Sequence, residues 1–312
     1  MRRFDMNIFS KIGFLSGRNK EWRKRKVGNH IMYLDRKDTG ISAGLMRLKK
    51  GVDREPAFMK VLRRELQSGM TAVDLGANIG YASLIMADIV GTEGTVYAIE
   101  PSERNFMFLN MNIKANGYEN IIRPTQMGIS NKKCVQKFYI SDKSNLHSMT
   151  PTENTHAAID VQVDTLSAFL KGKKSPNFVK MDIEGHEVEA LEGMVDAFKV
   201  AEPPVRILIE VHPMYYSEDH SFEKSLRAML AIGFNTKYVI SAGIGRPDFF
   251  VERGYEPDEV LRAGKRWRRG IYSTVSNEDM IQSACFEHHQ YIPEHDITTP
   301  KIVRAIMIEK ST

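Results

Sequence analysis

The stretch VDLGANIGYAS, residues 73–83, decides the fold prediction for this chain. An apolar, β-branched run passes directly into a glycine-rich turn, and the residues after the turn have the apolar spacing of a helix. The pattern of the turn is Asp74-x-Gly76-x-Asn78-x-Gly80. A strand, a glycine turn and a helix in this order are typical of sites that hold a nucleotide-like ligand against backbone amides.

Strand-like and helix-like segments alternate outward from this turn. The strand-like segments are TAVDLG, GTVYAIE, NIIRPTQMGIS, NFVKMDI, VRILIEVH, NTKYVI and, far downstream, KIVRAIMIEK. Helical spacing follows most of them, with Ser102 placed to cap one helix and Gly117 to end it. This alternation predicts an α/β fold with a mostly parallel sheet and helices on both faces.

Two parts of the chain fall outside the alternation. Residues 1–55 are expected to form a basic N-terminal extension, and residues at about 241–300 a long insertion before the last strand. The rest, residues 56–312, is expected to form one domain that carries this insertion. A chain of 312 residues is long enough for such a core.

The glycine turn differs from that of nicotinamide dehydrogenases, whose G-x-G-x-x-G motif brings backbone amides against a pyrophosphate. Here Asn78 takes the place of the second glycine, and its side chain would obstruct that approach. S-adenosylmethionine (SAM) has no phosphate, and Asp74 with the glycine turn suits its amino-acid end. Glu100, which ends the next strand, can accept two hydrogen bonds from a ribose diol. These residues favour SAM; the alternative is a plain strand-to-helix turn beside a surface Glu100.

Acidic residues and a histidine follow two later strands. Asp182 and Glu184 stand two apart in KMDIEGHE, and Glu210 and His212 repeat that spacing in LIEVHP. If the two strands are neighbours, these side chains converge at the carboxyl edge, where open α/β sheets bind ligands. The sequence therefore predicts a reactive cluster at that edge.

A competing interpretation concerns the acids that begin the helix after this strand. In that interpretation, Glu184 and Glu187 only interact favourably with the positive end of the helix dipole. That interpretation suits Glu187. It does not suit Asp182 or Glu210, because acids that end apolar strands are costly unless they are used.

The segments VDLGANIGYAS, VYAIEPSERNFMFLNMNI, VDTLSAFL, VKMDIEGHEVEALEGM and ILIEVHP, in that order, resemble the FkbM family of SAM-dependent methyltransferases. The resemblance covers about residues 70–215, and the Asp-Ile-Glu-Gly-His-Glu segment is its most specific part. It implies a class I, Rossmann-like methyltransferase fold. It also implies an enzyme that usually methylates hydroxyl oxygens, commonly on sugars of glycans or natural products.

The resemblance further implies which residues bind the cofactor and the substrate. The cofactor-binding residues are Asp74, Gly76, Asn78, Gly80, Glu100 and Asn105. The loop SDKSNLHSM lies where family members carry a Ser-rich segment near the active site. With Asn145 and little glycine, this loop departs from the family pattern. The expected substrate-binding residues are His147, Ser148 and Glu184.

Methyl transfer from a sulfonium to oxygen is an in-line displacement, in which alignment is worth roughly 7–11 kcal/mol in favourable cases. A sugar hydroxyl also needs a general base, or a metal ion that lowers its pKa. Asp182, Glu210 and His212 are the catalytic candidates. The same three residues suit Mg²⁺ or Mn²⁺, which prefer hard oxygen ligands. The sequence leaves base and metal as open alternatives.

The net charge of +5 is distributed unevenly. Residues 1–26 hold nine Lys/Arg against two acids, and a second run, GKRWRRG, lies at 264–270. Each run contains one of the two tryptophans, Trp22 and Trp267. The runs are either solvated faces or contacts for an anionic partner, such as a membrane surface, a phosphorylated glycan carrier or nucleic acid. If they pack over the carboxyl edge, both tryptophans lie near the substrate.

Two rival functions remain open. The basic runs would suit RNA or protein methylation, but the chain lacks an Asn-Pro-Pro-Tyr-type element of the kind that base methylases use, so nucleic acid is disfavoured. The other rival is a non-catalytic glycan- or membrane-binding module on the same fold. An intact cofactor motif argues against it.

The same composition bears on the cellular location. No stretch approaches the roughly 20 apolar residues of a membrane span, and the N-terminus has no signal-peptide core. Cys134 and Cys285 lack CxxC spacing, which is typical of unpaired thiols in a reducing compartment. We therefore expect a cytoplasmic protein, with peripheral membrane association as the alternative.

Overall fold

The computed structural model describes residues 21–201, 204–244, 249–263, 267–285 and 302–311. Within these residues the strands are β1 (Trp22–Val27), β2 (His30–Asp35), β3 (Thr71–Leu75), β4 (Thr95–Ile99), β5 (Ile122–Thr125), β6 (Gly128–Ile129), β7 (Cys134–Ser141), β8 (Thr155–Asp164), β9 (Phe178–Met181), β10 (Val205–Glu210), β11 (Phe234–Ser241), β12 (Glu259–Ala263), β13 (Trp267–Tyr272) and β14 (Val303–Lys310). The helices are α1 (Ile41–Arg47), α2 (Pro56–Glu65), α3 (Tyr81–Val90), α4 (Glu103–Ala115), α5 (Leu166–Leu170), α6 (Glu187–Glu192), α7 (Val195–Lys199), α8 (Phe222–Ala231), α9 (Phe249–Glu252) and α10 (Asn277–Ala284).

Nine of the described strands form one sheet, in the order β12-β13-β11-β14-β10-β9-β3-β4-β5. The five strands from β10 to β5 run parallel, and β14 runs antiparallel between β10 and β11. Successive residues of β3 alternate between two cores, because side chains of a strand point to opposite faces. Ala72 joins the core with α2, α3 and α4, and Val73 joins the core with α6 and α8. The predicted α/β fold with a mostly parallel, doubly covered sheet is confirmed.

The helix after β4 has the ends that its sequence predicts. The Ser102 hydroxyl accepts a hydrogen bond from the Asn105 N–H, which satisfies one of the donors left free in the first turn of α4. Gly117 follows the last turn with a φ of 70°, a left-handed conformation that glycine adopts without strain.

The segment EGHEVEALEGMVDAF follows the strand-like NFVKMDI, and its spacing predicts one helix. It forms two short helices instead, α6 and α7. The Ser167 hydroxyl donates to the Gly193 carbonyl at 2.9 Å and accepts from the Ala197 N–H at 3.0 Å. This hydroxyl takes the place of the direct hydrogen bond that would continue the helix. A contact from a distant side chain therefore breaks the helix, and periodicity cannot reveal it.

Residues 22–47 pack on the domain that follows them. β1 and β2 form an antiparallel hairpin. Side chains of α4 hold the backbone of β2, because Asn112 Oδ1 accepts from the Tyr33 N–H at 2.6 Å and Asn116 Oδ1 accepts from the Ile31 N–H at 2.9 Å. The predicted basic N-terminal extension therefore includes ordered structure, while its first 20 residues lie outside the described part of the chain.

The predicted insertion at 241–300 contributes to the central sheet. β12 and β13 extend the sheet beyond β11, and α10 contacts β11 and β14. β13 pairs with the last residues of β11 and continues past its end, so the β12–β13 hairpin projects beyond the carboxyl edge. Residues 245–248, 264–266 and 286–300 lie outside the described part of the chain.

A second sheet, of β6, β8 and β7, lies after β5. β7 and β8 form an antiparallel pair, and residues 142–154 connect them. The connection includes a single 3₁₀ turn, Ser144–Leu146. This loop, which contains SDKSNLHSM, reaches the glycine turn, because the Ser144 carbonyl accepts from Asn78 Nδ2 at 3.0 Å.

The structure bears on two expectations, one about membrane spans and one about the cysteine thiols. No helix among the described residues is long and apolar enough to cross a bilayer. Cys134 and Cys285 are not in disulfide bonds within the described residues, and Cys285 is buried.

Candidate active site

A pocket opens at the carboxyl edge of the sheet, where β3, β4, β9 and β10 end. It brings together the glycine turn, the acid that ends β4, the loop after β7 and the two acidic motifs. Its lining includes Ile41, Arg54, Glu55, Phe58, Gly76, Ala77, Asn78, Tyr81, Glu100, Asn105, Met127, Ile129, Asn145, His147, Lys180, Asp182, Glu184, His186 and Glu210. Elements far apart in the sequence therefore share one pocket.

The glycine turn packs against the acidic motif. Gly76 has a φ of 72°, and a Cβ there would lie 2.0 Å from the Asp182 carbonyl oxygen. Only glycine fits this approach, because a side chain would clash with that backbone. Asn78 adopts a φ of 50° and donates its N–H to Glu100 Oε2 at 2.8 Å. The turn thus connects the end of β4 to the end of β9.

Glu100 is almost fully buried and lines the pocket. Its other oxygen accepts from the Ser102 N–H at 2.9 Å and lies 3.4 Å from Asn105 Nδ2. Burial raises the pKa of Glu100 to about 7, although these hydrogen bonds favour its charged form. A carboxylate has about four lone-pair sites, so acceptor capacity remains for a ligand hydroxyl.

Asp74 lies behind the turn and is absent from the described lining of the pocket. It is fully buried, where it forms an ion pair with Lys180 Nζ at 2.9 Å and accepts from the Ser83 hydroxyl at 2.6 Å. Lys180 also donates to the Leu75 and Gly76 carbonyls at 3.2 and 3.0 Å. In this structure both oxygens of Asp74 contact protein donors, and its contact with the cofactor stays a prediction.

The acidic motifs converge as the sequence argument required, because β9 and β10 are parallel neighbours. His212 lies among the acids of both motifs. Its Nε2 lies 3.4 Å from Glu210 Oε1, 3.5 Å from Glu184 Oε2 and 3.8 Å from Asp182 Oδ1. Its Nδ1 lies 2.9 Å from Glu187 Oε1.

This cluster holds unusual protonation equilibria. Burial opposes the charged imidazole, but the surrounding carboxylates raise the pKa of His212 well above its ordinary value. Burial raises the pKa of Glu184 to about 8, against the influence of His212. Burial and the Glu210 carboxylate also raise the pKa of Asp182. The cluster therefore combines a protonated histidine with carboxyl groups of raised pKa, a pattern found at catalytic sites.

Glu187 belongs to this site, which the sequence interpretation missed. It is fully buried, and its second oxygen accepts from the Tyr216 hydroxyl at 2.9 Å. Burial alone would raise the pKa of Glu187, but His212, Tyr216 and the Gly185 N–H together lower it. A usable signal is its position four residues before Leu191 on the apolar face of α6, where an acid is costly without a partner.

Arg304 is a second residue that the sequence interpretation missed. It forms an ion pair with Glu210 and lies 3.4 Å from Glu55, which also pairs with Arg269. Its pKa is raised by Glu210 and Glu55 although burial opposes the charge. The sequence signal is a lone arginine inside the apolar strand VRAIMIEK.

Two of the predicted substrate residues, His147 and Ser148, lie in the loop after β7 but have different surroundings. His147 lines the pocket, and burial lowers its pKa to about 4, so its ring is neutral near pH 7. Ser148 is buried and outside the described lining, and its hydroxyl donates to the Glu184 carbonyl at 2.7 Å. Glu184 itself lines the pocket with a φ of 49°. Ser148 therefore supports the backbone of Glu184, and its contact with the substrate stays a prediction.

Asp182, Glu210 and His212 form a group that could hold a cation, since one ligand atom of each lies within 4.8 Å of the others. Two carboxylates and one imidazole suit Mg²⁺ or Mn²⁺. Arg304 already pairs with Glu210, however, and a protonated His212 cannot ligate. The three residues fit a metal ion only if His212 loses its proton and the ion pair between Arg304 and Glu210 breaks.

The Methyltransferase FkbM domain profile matches residues 74–236, just over half of the chain. The chain belongs to the FkbM methyltransferase domain family. The resemblance drawn from the sequence motifs is confirmed. The run β5-β4-β3-β9-β10-β14-β11, with β14 alone antiparallel, is the class I methyltransferase arrangement.

Among curated relatives, the FkbM chain is 28% identical over 159 residues to the hexuronic acid methyltransferase AglP of Haloferax volcanii, covering 51% of this chain and 62% of that relative. The match thus spans about three-fifths of the relative's length. A protein-L-isoaspartate O-methyltransferase of Methanosarcina mazei is 35% identical over 57 residues, which cover 18% of this chain and 24% of that relative.

Solved structures include FkbM of Methylobacillus flagellatus, with 21% identity, a TM-score of 0.34, and coverage of 46% of this chain and 32% of that chain. A SAM-dependent O-methyltransferase of Thermotoga maritima has 12% identity, a TM-score of 0.41, and coverage of 86% of this chain and 69% of that chain.

Proposed function

We propose that this FkbM-family chain transfers a methyl group from SAM to a hydroxyl of a sugar in a glycan or glycoconjugate. The observation that carries the proposal is a single pocket that joins Glu100 to the carboxylate–His212 cluster. Glu100 suits a ribose diol, and the cluster suits a group that must lose a proton. The two halves of a methyl transfer reaction therefore meet in one pocket.

The residues present fit SAM. Glu100 offers a buried carboxylate for the ribose hydroxyls, and Met127 and Ile129 offer apolar surface beside it. The glycine turn lines the same pocket, so Gly76 and Asn78 would hold the amino-acid end of SAM. When bound, SAM supplies an activated methyl group, and the protein contributes alignment of the acceptor oxygen.

The acceptor hydroxyl loses its proton as its oxygen bonds to the methyl carbon and the carbon–sulfur bond breaks. Asp182 lines the pocket, so its carboxylate can accept that proton, whereas Glu184, with a pKa raised to about 8, is largely protonated near pH 7. His212 has a 4% exposed side chain and a raised pKa, so we assign it to stabilising the carboxylates rather than to accepting the proton. A general base of this kind contributes typically ~10²–10⁴-fold.

A sugar acceptor is supported by the name of one relative and by the chemistry of the pocket. AglP is a hexuronic acid methyltransferase. Carboxylates such as Asp182 and Glu184 accept hydrogen bonds from the hydroxyls that sugars carry in number. The same acids would repel the phosphates of RNA.

We extend this proposal to an anionic carrier or membrane surface that holds the glycan acceptor. In β1, Arg23 and Lys24 are exposed. The β12–β13 hairpin, in which β13 contains residues 267–270 of the second basic run, projects beyond the carboxyl edge. Trp22 packs against Tyr33 at 4.8 Å between ring centroids, so it is part of the fold and absent from the described pocket lining.

The test is incubation of the protein with methyl-labelled SAM and a panel of glycans, with and without EDTA. We expect label in a glycan with the parent. Asp182→Asn keeps the shape of the side chain, so SAM binding should survive while turnover falls at least 100-fold. Label transfer to RNA or protein alone would contradict the proposal, and SAM binding without any transfer would indicate a binding module.

The EDTA arm separates the two roles of the acidic cluster. Loss of turnover that Mg²⁺ or Mn²⁺ restores would show the metal alternative, with Asp182, Glu210 and His212 as ligands. Turnover that EDTA leaves unchanged would show that the carboxylates act as a base.

A further inference from the structure

The cations in and around the pocket are occupied by the protein, with one exception among the described residues. Lys180 forms an ion pair with Asp74 and donates hydrogen bonds to two backbone carbonyls. Arg304 pairs with Glu210, and Arg269 pairs with Glu55. Arg54 lines the pocket, and its guanidinium forms no hydrogen bond or ion pair with the part of the chain that the structure describes.

The backbone that carries Arg54 is held from both sides. Its N–H donates to the Tyr81 hydroxyl at 3.1 Å, and that hydroxyl donates to Asp53 Oδ1 at 3.2 Å. The next residue, Glu55, has a φ of 53° and pairs with Arg269 and Arg304. The segment is therefore fixed in place before any ligand arrives, which reduces the entropy cost of binding.

The acids beside Arg54 in the sequence are already neutralised. Asp53 forms a two-pronged ion pair with Arg63, at 2.9 and 3.2 Å. Glu55 is engaged by its two arginines. Neither acid therefore competes for Arg54, so its charge remains available in a pocket whose other lining side chains include many acids.

Arg54 lies beside the start of α3, because its N–H donates to the Tyr81 hydroxyl. Tyr81 and Ala82, which begin α3 after the glycine turn, line the same pocket. If Glu100 holds the ribose, the start of α3 and Arg54 would be available to hold the amino-acid end of SAM. The carboxylate there requires a cation, since an unpaired buried charge is costly.

We propose that Arg54 is the carboxylate-binding residue of this pocket, an inference that rests on the proposed function. A guanidinium binds a carboxylate through two parallel hydrogen bonds, which fixes orientation as well as charge. The favoured carboxylate is that of the amino-acid end of SAM. The other source of the same chemistry is the carboxylate of an acidic acceptor sugar.

Calorimetry with two nucleosides distinguishes these sources without turnover. S-adenosylhomocysteine carries the amino-acid carboxylate, and 5′-methylthioadenosine lacks the amino-acid end. We expect Arg54→Gln to weaken S-adenosylhomocysteine at least tenfold, about 1.4 kcal/mol, and to leave methylthioadenosine unchanged. Arg54→Lys should fall between the two, because it keeps the charge without the fork. Arg36→Gln, at an exposed arginine outside the described lining, is the matched control.

The second arm uses saturation-transfer NMR of methyl β-glucuronide and methyl β-glucoside on the protein loaded with S-adenosylhomocysteine. Loss of the glucuronide signal alone in Arg54→Gln, with unchanged nucleoside affinities, would assign the carboxylate to the sugar. Unchanged results in both arms, or equal weakening of both nucleosides, would overturn the inference. If the parent binds neither nucleoside, the SAM assignment fails, and the glucuronide arm, run on the protein without nucleoside, then decides the role of Arg54.

Discussion

At the scale of single residues, Glu100 meets two demands with one carboxylate. It accepts hydrogen bonds from the N–H groups of Asn78 and Ser102, which fixes the glycine turn, and it also lines the pocket. Burial raises its pKa to about 7. A ligand that donates hydrogen bonds favours the ionised form, so binding at this residue is linked to loss of a proton.

We predict that Glu100→Gln weakens S-adenosylhomocysteine by about 1.5–3 kcal/mol per hydrogen bond lost. In the parent, the carboxyl group is protonated below pH 7 and must ionise to bind, so affinity falls by about tenfold per pH unit below that value. The variant has no such proton to lose. Calorimetry between pH 5 and 8 checks both statements, and a parent affinity that does not change with pH would contradict them.

Glu187 acts on the same site through His212. Its charge raises the pKa of His212, and its hydrogen bond fixes the orientation of the imidazole. We regard it as a positioning residue, because it is fully buried and outside the described lining of the pocket. Its hydrogen bond from Tyr216 leaves one oxygen for the histidine.

We predict that Glu187→Gln lowers turnover and shifts the alkaline limb of the pH–rate profile to lower pH. The sign follows from the loss of a neighbouring negative charge, which lowers the pKa of His212. The buried pair is also broken, so stability should fall by roughly 3–5 kcal/mol. Tyr216→Phe keeps the charge and is the control, with a smaller shift expected. A profile with an unmoved alkaline limb in Glu187→Gln would refute the role, provided that the variant is folded.

At the scale of elements, the loop after β7 supports the acidic motif without supplying its chemistry. The Ser148 hydroxyl donates to the carbonyl of Glu184, a residue in left-handed conformation at the end of the β9 motif. The Ser148 N–H and carbonyl also pair with Tyr139 of β7. The second sheet, through Ser148, therefore fixes the position of the Glu184 backbone.

We predict that Ser148→Ala destabilises the protein by about 1–3 kcal/mol, because a partly buried carbonyl loses its donor. Turnover should fall while nucleoside affinity stays near that of the parent. Ser225→Ala is the matched control: Ser225 is equally buried in α8, and its hydroxyl has no hydrogen-bond partner among the described residues. Denaturant unfolding of both variants checks this, and equal losses would contradict the assignment of Ser148.

At the scale of the whole molecule, the basic N-terminal run divides into two parts. In β1, Arg25 donates to the carbonyls of Leu45, Met46 and Leu48, so it holds the end of α1. Residues 1–20 lie outside the described part and carry five Lys/Arg against one Asp. A deletion that tests the anionic partner should therefore remove residues 1–20 and keep β1.

We predict that this deletion weakens binding to vesicles of phosphatidylglycerol and leaves nucleoside affinity unchanged. Each basic residue near an anionic surface contributes about 1 kcal/mol, so the parent should also lose binding as salt increases. Vesicles of phosphatidylcholine are the control for the surface charge. Co-sedimentation checks the result, and equal vesicle binding with and without residues 1–20 would contradict it.

The sequence by itself determined the family, the α/β class and the positions of most strands and helices. Those features follow from local periodicity and from motifs such as residues 73–83, whose glycines are required by the backbone of one turn. It also placed Asp182, Glu210 and His212 correctly at strand ends. The inference required only that β9 and β10 be neighbours, which they are.

Only the tertiary structure decided what each polar group contacts. Asp74 and Ser148 face protein partners instead of the pocket, and Glu187 faces His212 instead of solvent. Arg54 is left with a charge that no described residue uses. These outcomes depend on contacts between segments far apart in the chain, and local periodicity carries no information about such contacts. Burial then sets the pKa values, because desolvation is a property of the packed site and not of the residue type.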